Sequence, residues 1–130
     1  MITSEAYQDI QILQDSDFEN TITFDSSHDM EGKSYKAYIA KDYKSTVYTG
    51  PAWNGSAWYS DNSSTRVALT IATGENSVTL TLPAEATTFF TDGFEGVWDL
   101  LEKDSDDTSY KRQLQGDVVV ANSIAKVADF

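Results

Sequence analysis

The chain contains no cysteine, which removes disulfides, thiol chemistry and cysteine-based zinc sites together. It has only two prolines and seven glycines in 130 residues, too few for a collagen-like or linker-type chain. Basic residues are scarce: nine Lys and Arg stand against 21 Asp and Glu, a formal charge of −12. That balance argues against a nucleic-acid binder, which needs a basic face, and against docking on anionic membrane lipid. No apolar run exceeds a few residues, Val118 to Ala121 being representative, whereas a membrane-spanning helix needs about 20. Met1-Ile2-Thr3-Ser4-Glu5 has no basic patch leading into an apolar stretch, so no secretory leader is expected. Histidine is down to one, His28, in a polar turn with no second His, which argues against a zinc or catalytic role. A Gly-rich phosphate loop, a nucleophile elbow and a His-Glu-x-x-His helix are all missing, so neither an enzyme nor a cofactor is expected.

What remains is a chain with 40% apolar residues, enough for one cored domain over 1–130 and too short for two. Its charge is uneven. Glu5, Asp9, Asp15, Asp17, Glu19, Asp25, Asp29 and Glu31 all precede the first basic residue, Lys33, and Lys36, Lys41 and Lys44 follow closely. The acidic and basic segments are read as solvated surface with ordinary ion pairs, although they could also pair within the fold or between subunits.

The dominant period is two, which indicates strands. Ile10 and Ile12 alternate with polar neighbours; Phe18, Ile22 and Phe24 share a face; Tyr35, Ala37 and Ile39 alternate with Lys36 and Tyr38. Val67, Leu69 and Ile71 and then Val78, Leu80 and Leu82 read as a hairpin around Thr73-Gly74-Glu75-Asn76. Pro83 suits the first turn of a helix, and Ala84 to Phe90 is the one helix candidate, about two turns long. In Phe94 to Leu101, Val97, Asp99 and Leu101 share one face and Trp98 and Leu100 the other, with Trp98 in the core. Tyr110 to Val120 completes the sheet, and the tail from Ser123 to Phe130 has no clear type. About seven or eight short strands, one short helical turn and turn signals every 8 to 12 residues predict an all-β, antiparallel immunoglobulin-like β-sandwich.

Residues 41–65 are the least regular part, a long loop or a projecting hairpin. Asn54-Gly55 between aromatic-bearing flanks is a hairpin signal, which places the tip at Trp53 to Trp58. Trp53, Trp58 and Tyr59, with Tyr43 and Tyr48 nearby, are the candidate contact residues. Three readings stay open: they cap an open end of the core, they anchor a protein interface, or they stack on sugar rings. Asp104-Ser105-Asp106-Asp107 is the best calcium candidate, but Ser109 stands where an EF-hand needs glycine, and an ordinary polar hairpin turn is expected, with no metal. Asn54-Gly55-Ser56 and Asn62-Ser63-Ser64 match the glycosylation acceptor pattern and are read as chance matches.

Several segments, taken in order, carry a resemblance. They are Gln14-Asp15-Ser16-Asp17-Phe18 running to Thr23-Phe24; Asp29-Met30-Glu31-Gly32 before Tyr35 to Lys41; Ser77 to Leu82 with Pro83 to Phe90; Trp98-Asp99-Leu100; and Leu114-Gln115-Gly116-Asp117-Val118-Val119-Val120. The chain thereby resembles small immunoglobulin-like sandwich proteins encoded among the structural genes of tailed bacteriophages, of the baseplate and tail module type. Asp15 stands where such proteins often carry Gly, and residues 41–65 are longer than the usual connection. The resemblance implies a non-enzymatic virion protein and does not fix which part. The first expectation is an accessory tail or baseplate adaptor joining other virion proteins in a symmetric assembly. A capsid decoration protein is the alternative, and a module binding host-surface glycan a further one.

Overall fold

The computed structural model describes residues 7–106, 108–122, 124 and 129–130. Expectations that fall on Asp107, on Ser123 and on residues 125–128 of the tail lie outside the described residues. The structure is an all-β sandwich.

The described strands are β1 (Ile10–Leu13), β2 (Phe18–Thr23), β3 (Ser34–Ala40), β4 (Tyr48–Trp53), β5 (Trp58–Ser64), β6 (Arg66–Ala68), β7 (Thr70–Thr73), β8 (Ser77–Leu82), β9 (Glu95–Lys103) and β10 (Tyr110–Ala121). One helical turn, α1 (Ala84–Thr87), sits between β8 and β9. The five-stranded sheet has the order β1-β10-β9-β3-β6, the three-stranded sheet β2-β8-β7, and β4-β5 form a hairpin of their own. The runs β10-β9-β3 and β2-β8-β7 reproduce the G-F-C and B-E-D strands of the immunoglobulin sandwich. One apolar cluster lies between the sheets, with Ile22, Val78 and Leu80 from one side and Ile12, Ile39, Trp98, Leu100 and Val118 from the other.

Three sequence expectations are corrected. The sandwich is not wholly antiparallel, because β1 runs parallel to β10 with Ile10 opposite Val118. These strands come from opposite ends of the chain, so no tight turn forces them antiparallel. The apolar alternation Val67-Leu69-Ile71 is not one strand. It breaks at Leu69, so that β6 pairs with β3 and β7 pairs with β8 in the other sheet. Leu69 is buried at this crossing and its N–H donates to the Ala37 carbonyl. Splits of this kind raise the strand count above seven or eight. Finally, the helix stops at Thr87 instead of reaching Phe90, and Pro83 is its extended N-cap, not a first-turn residue.

The turn between β1 and β2 explains why so short a helix holds. Asp17 Oδ1 accepts from the Ala84 N–H at 2.8 Å, supplying the side-chain cap that Pro83 lacks. Thr87 Oγ1 donates to the Ser16 carbonyl, and Gln14 Nε2 donates to the Phe90 carbonyl. Asp15 in this turn has φ +64°, the left-handed region that favours glycine.

Gly116 is required by a close approach. A Cβ there would overlap the Gln8 carbonyl, where the N-terminal segment runs alongside β10, and would crowd the Trp98 indole. Trp98 Nε1 donates to that same Gln8 carbonyl at 2.6 Å, and the Gly116 carbonyl accepts from the Tyr43 hydroxyl. Gly116→Ala is therefore expected to lower stability by about 1–3 kcal/mol, the range for overpacking a filled interior. A urea denaturation midpoint equal to that of the wild type would contradict this.

Candidate functional site

The β4–β5 hairpin joins an anchored base to an exposed tip. At the base Tyr48 and Pro51 are buried, and the Tyr48 ring lies over Gly50, which has no side chain in the way. Tyr48 packs on Phe94 with ring centroids 5.4 Å apart, and Phe94 packs on Phe90 at 5.1 Å. Burial pushes the Tyr48 phenol well above its usual range. A two-stranded hairpin is marginal alone in water, so this anchoring is what holds it.

At the tip Trp53 pairs with Trp58 across the strands. The loop closes through Asn54, whose Oδ1 accepts from the Ser56 and Ala57 N–H groups at 2.9 Å each. Only Gly55 takes positive φ, at 97°, so this is a four-residue loop and not the two-residue Asn-Gly turn. The indoles lie 5.4 Å apart and tilted by 54°. Trp53 is 55% exposed, while Trp58 is half-buried and packs against the core cluster. Facing them are Glu85 of α1 and Thr88 and Phe89 just after it, and between the two walls runs an apolar groove of about 570 Å³.

The five aromatic candidates thus separate. Trp53 and Trp58 come together at the groove. Tyr59, 40% exposed, follows Trp58 directly along β5, and successive residues of a strand point to opposite faces. Tyr43 is half exposed elsewhere, its hydroxyl donating to the carbonyls of Trp98 and Gly116 at 3.3 Å and its ring 5.7 Å from the Arg112 guanidinium. Tyr48 is corrected outright: it is core, because the hairpin must bury an anchor to stay folded, and it is closed to any partner.

Phe89 and Glu85 were missed. The signal was the pair Phe89-Phe90 after a short helical turn: Phe90 is buried, while Phe89 is left at the groove.

A second cluster was also missed. Glu102 is only 2% exposed. Its Oε2 accepts from the Tyr35 hydroxyl at 2.7 Å and lies 2.6 Å from His28 Nε2; its Oε1 accepts from Gln113 Nε2 at 3.0 Å. Lys33 Nζ lies 3.5 Å from both Glu102 and Asp104. Gln113 reaches inward because β10 bulges between Arg112 and Leu114, which aims two successive side chains at the core. His28 stacks on Phe24 at 4.6 Å. The cluster closes one end of the sandwich beside an open groove of about 610 Å³ lined by Ser26, His28, Asp29, Met30, Lys33 and Glu75 among others.

Burial would raise the Glu102 carboxyl, but donation from Tyr35 and His28 and the nearby Lys33 charge outweigh it and hold the group below its usual range. In the calcium candidate, Asp104 faces Lys33 and Asp106 Oδ1 accepts from the Thr108 N–H, while Asp107 lies outside the described residues. Among the described residues no group of three or more His, Asp or Glu is placed to hold a metal.

No family model matches the chain, and no curated protein matches it. Among solved structures, the chain is similar to the extracellular domains of the voltage-gated sodium channel beta4 subunit, described as parallel homodimers that explain a role in cell–cell adhesion. The likeness has TM-score 0.42 and 13% identity, and covers 95% of this chain and 98% of that one. The assignment of the sandwich as immunoglobulin-like stands on this chain's own strand order.

Because the folded Glu102 carboxyl titrates below its unfolded value, its contribution is present above that unfolded value and is lost as pH falls through the folded one. Glu102→Gln is expected to cost about 1–3 kcal/mol at pH 7, since the buried donors lose a charged acceptor. The deficit should shrink as the pH is lowered through the acid range and wild-type Glu102 protonates. Urea denaturation of both proteins from pH 7 to pH 3 measures it; a pH-independent deficit would refute the role of the charge.

Proposed function

We propose that the chain is a non-enzymatic protein-binding module whose contact site is the tip of the β4–β5 hairpin. The observation that carries this is Trp53, a large aromatic more than half exposed, packed beside Trp58 and lining an apolar groove. Aromatic anchors next to a pocket dominate the energetics of protein interfaces. The setting proposed follows the sequence resemblance: a virion part of a tailed bacteriophage, first an accessory tail or baseplate adaptor. The mechanism is passive. A rigid sandwich presents its hairpin to a neighbour, and in a symmetric particle many modest contacts add through effective concentration.

Quantitative mass spectrometry of virions of the encoding phage tests the setting. Tens of copies or fewer per particle are expected of a tail or baseplate part. A copy number near that of the major capsid protein would make it a head decoration protein, and complete absence would remove the virion reading. Trp53→Ala should leave the fold within about 1 kcal/mol of wild type, as for a surface substitution, yet reduce incorporation into virions. Trp58→Ala should cost more, about 2–3 kcal/mol, because Trp58 is partly buried and packs against the core. A loss of about 2–3 kcal/mol in Trp53→Ala as well would mean that the hairpin tip is core capping and not a contact site.

A further inference from the structure

The hairpin groove carries a chemical preference beyond its apolar character. Its walls are aromatic faces, Trp53 and Trp58 on one side and Phe89 on the other. Aromatic faces are electron-rich and attract cations. Glu85 is its one charged lining residue among the described residues, and it is anionic. The whole chain carries −12, so the surrounding field also favours a positive group. The two indoles pack on each other at 5.4 Å and 54°, so the surface left for a flat group to lie against is the exposed part of the Trp53 ring.

We propose that this groove takes the guanidinium of an arginine presented by a partner protein. The inference rests on the protein-contact reading above and names the chemistry of that partner. Arginine fits better than lysine because its planar, weakly hydrated head stacks on aromatic faces, and its fork pairs with a carboxylate through two N–H groups. Phe89 and the exposed part of Trp53 supply the stacking surface, and Glu85 supplies the counter-charge. A neutral apolar anchor would cover the rings but make no use of the Glu85 charge.

The test is a heteronuclear NMR titration of the full chain. The probe is the blocked pentapeptide Gly-Gly-Arg-Gly-Gly, and lysine, citrulline or norleucine replaces the arginine in the comparison peptides. The indole N–H signals of Trp53 and Trp58 report the groove. That of Trp98, buried and bonded to Gln8, serves as an internal reference. The arginine peptide should shift the two groove signals and leave Trp98 unmoved. Citrulline, the same shape without the charge, should bind about 10-fold more weakly, and Glu85→Gln should weaken the arginine peptide about 5-fold. Trp53→Ala, which removes an exposed ring and leaves the core filled, should abolish the shifts, so the test does not depend on a variant that unfolds.

Equal binding of citrulline or norleucine would overturn the proposal in favour of a plain apolar slot. A lysine peptide that binds as tightly as the arginine one would overturn the choice of guanidinium. Shifts with a chitooligosaccharide and none with arginine would overturn it in favour of glycan binding. The two readings also fail separately. Arginine binding by a chain absent from virions leaves this site standing and removes the virion setting, whereas a chain present in virions that ignores arginine does the reverse.

Discussion

A polar atom carried into the core has to find its partner there, because water cannot reach it. The inner face of β9 carries two such groups, the Trp98 indole N–H and the Glu102 carboxylate, and both ends of the sandwich are arranged around them. β9 lies between β10 and β3 in the five-stranded sheet. Trp98 ties the N-terminal segment across β10 through the Gln8 carbonyl, which is why position 116 has no room for a side chain. Toward the other end of the strand, Glu102 gathers Tyr35, His28, Lys33 and Gln113, and so fastens the turn after β2 and the bulge in β10. An uncompensated carboxylate here would be strongly destabilising, and four partners from three parts of the chain prevent it.

In the segment between β3 and β6, Tyr43 clamps β9 and β10 and Trp58 packs against the core, which leaves Trp53 at the tip exposed. Tyr48 and Pro51 bury the foot of the β4–β5 hairpin, and α1, capped by Asp17 from a distant turn, supplies the opposing wall. The tip can then expose a tryptophan without endangering the fold. That division between a buried foot and an open tip is the physical basis for reading the hairpin as a contact element. It also explains why two neighbouring tryptophans are expected to respond differently to truncation.

Much of this was legible in the residues. Period-two alternation placed Ile12, Ile22, Ile39, Val78, Leu80, Trp98 and Leu100 on inner faces, and all are buried. Asn54-Gly55 placed the hairpin tip between Trp53 and Trp58. The same alternation extended by one step, from Trp98 and Leu100 to Glu102, points the carboxylate inward, although a charged residue at such a place is ordinarily assumed to face water. Gln113 was not legible, since a bulge breaks the parity from which its direction would be read.

Local pattern by itself determined the strand character, the all-β class, the turn positions and the inner faces, because alternation and turn chemistry act over a few neighbouring residues. Tertiary structure decided the rest. Packing alone splits the apolar run at Leu69 between two sheets and sets β1 parallel to β10, both of which depend on strands far apart in sequence. Packing also separates five similar aromatics into a core anchor, a groove pair, a residue on the hairpin's other face and a clamp on β9 and β10. A side chain's type does not state which neighbour will cover it; only the assembled sheets determine whether an aromatic ring is buried or left to solvent.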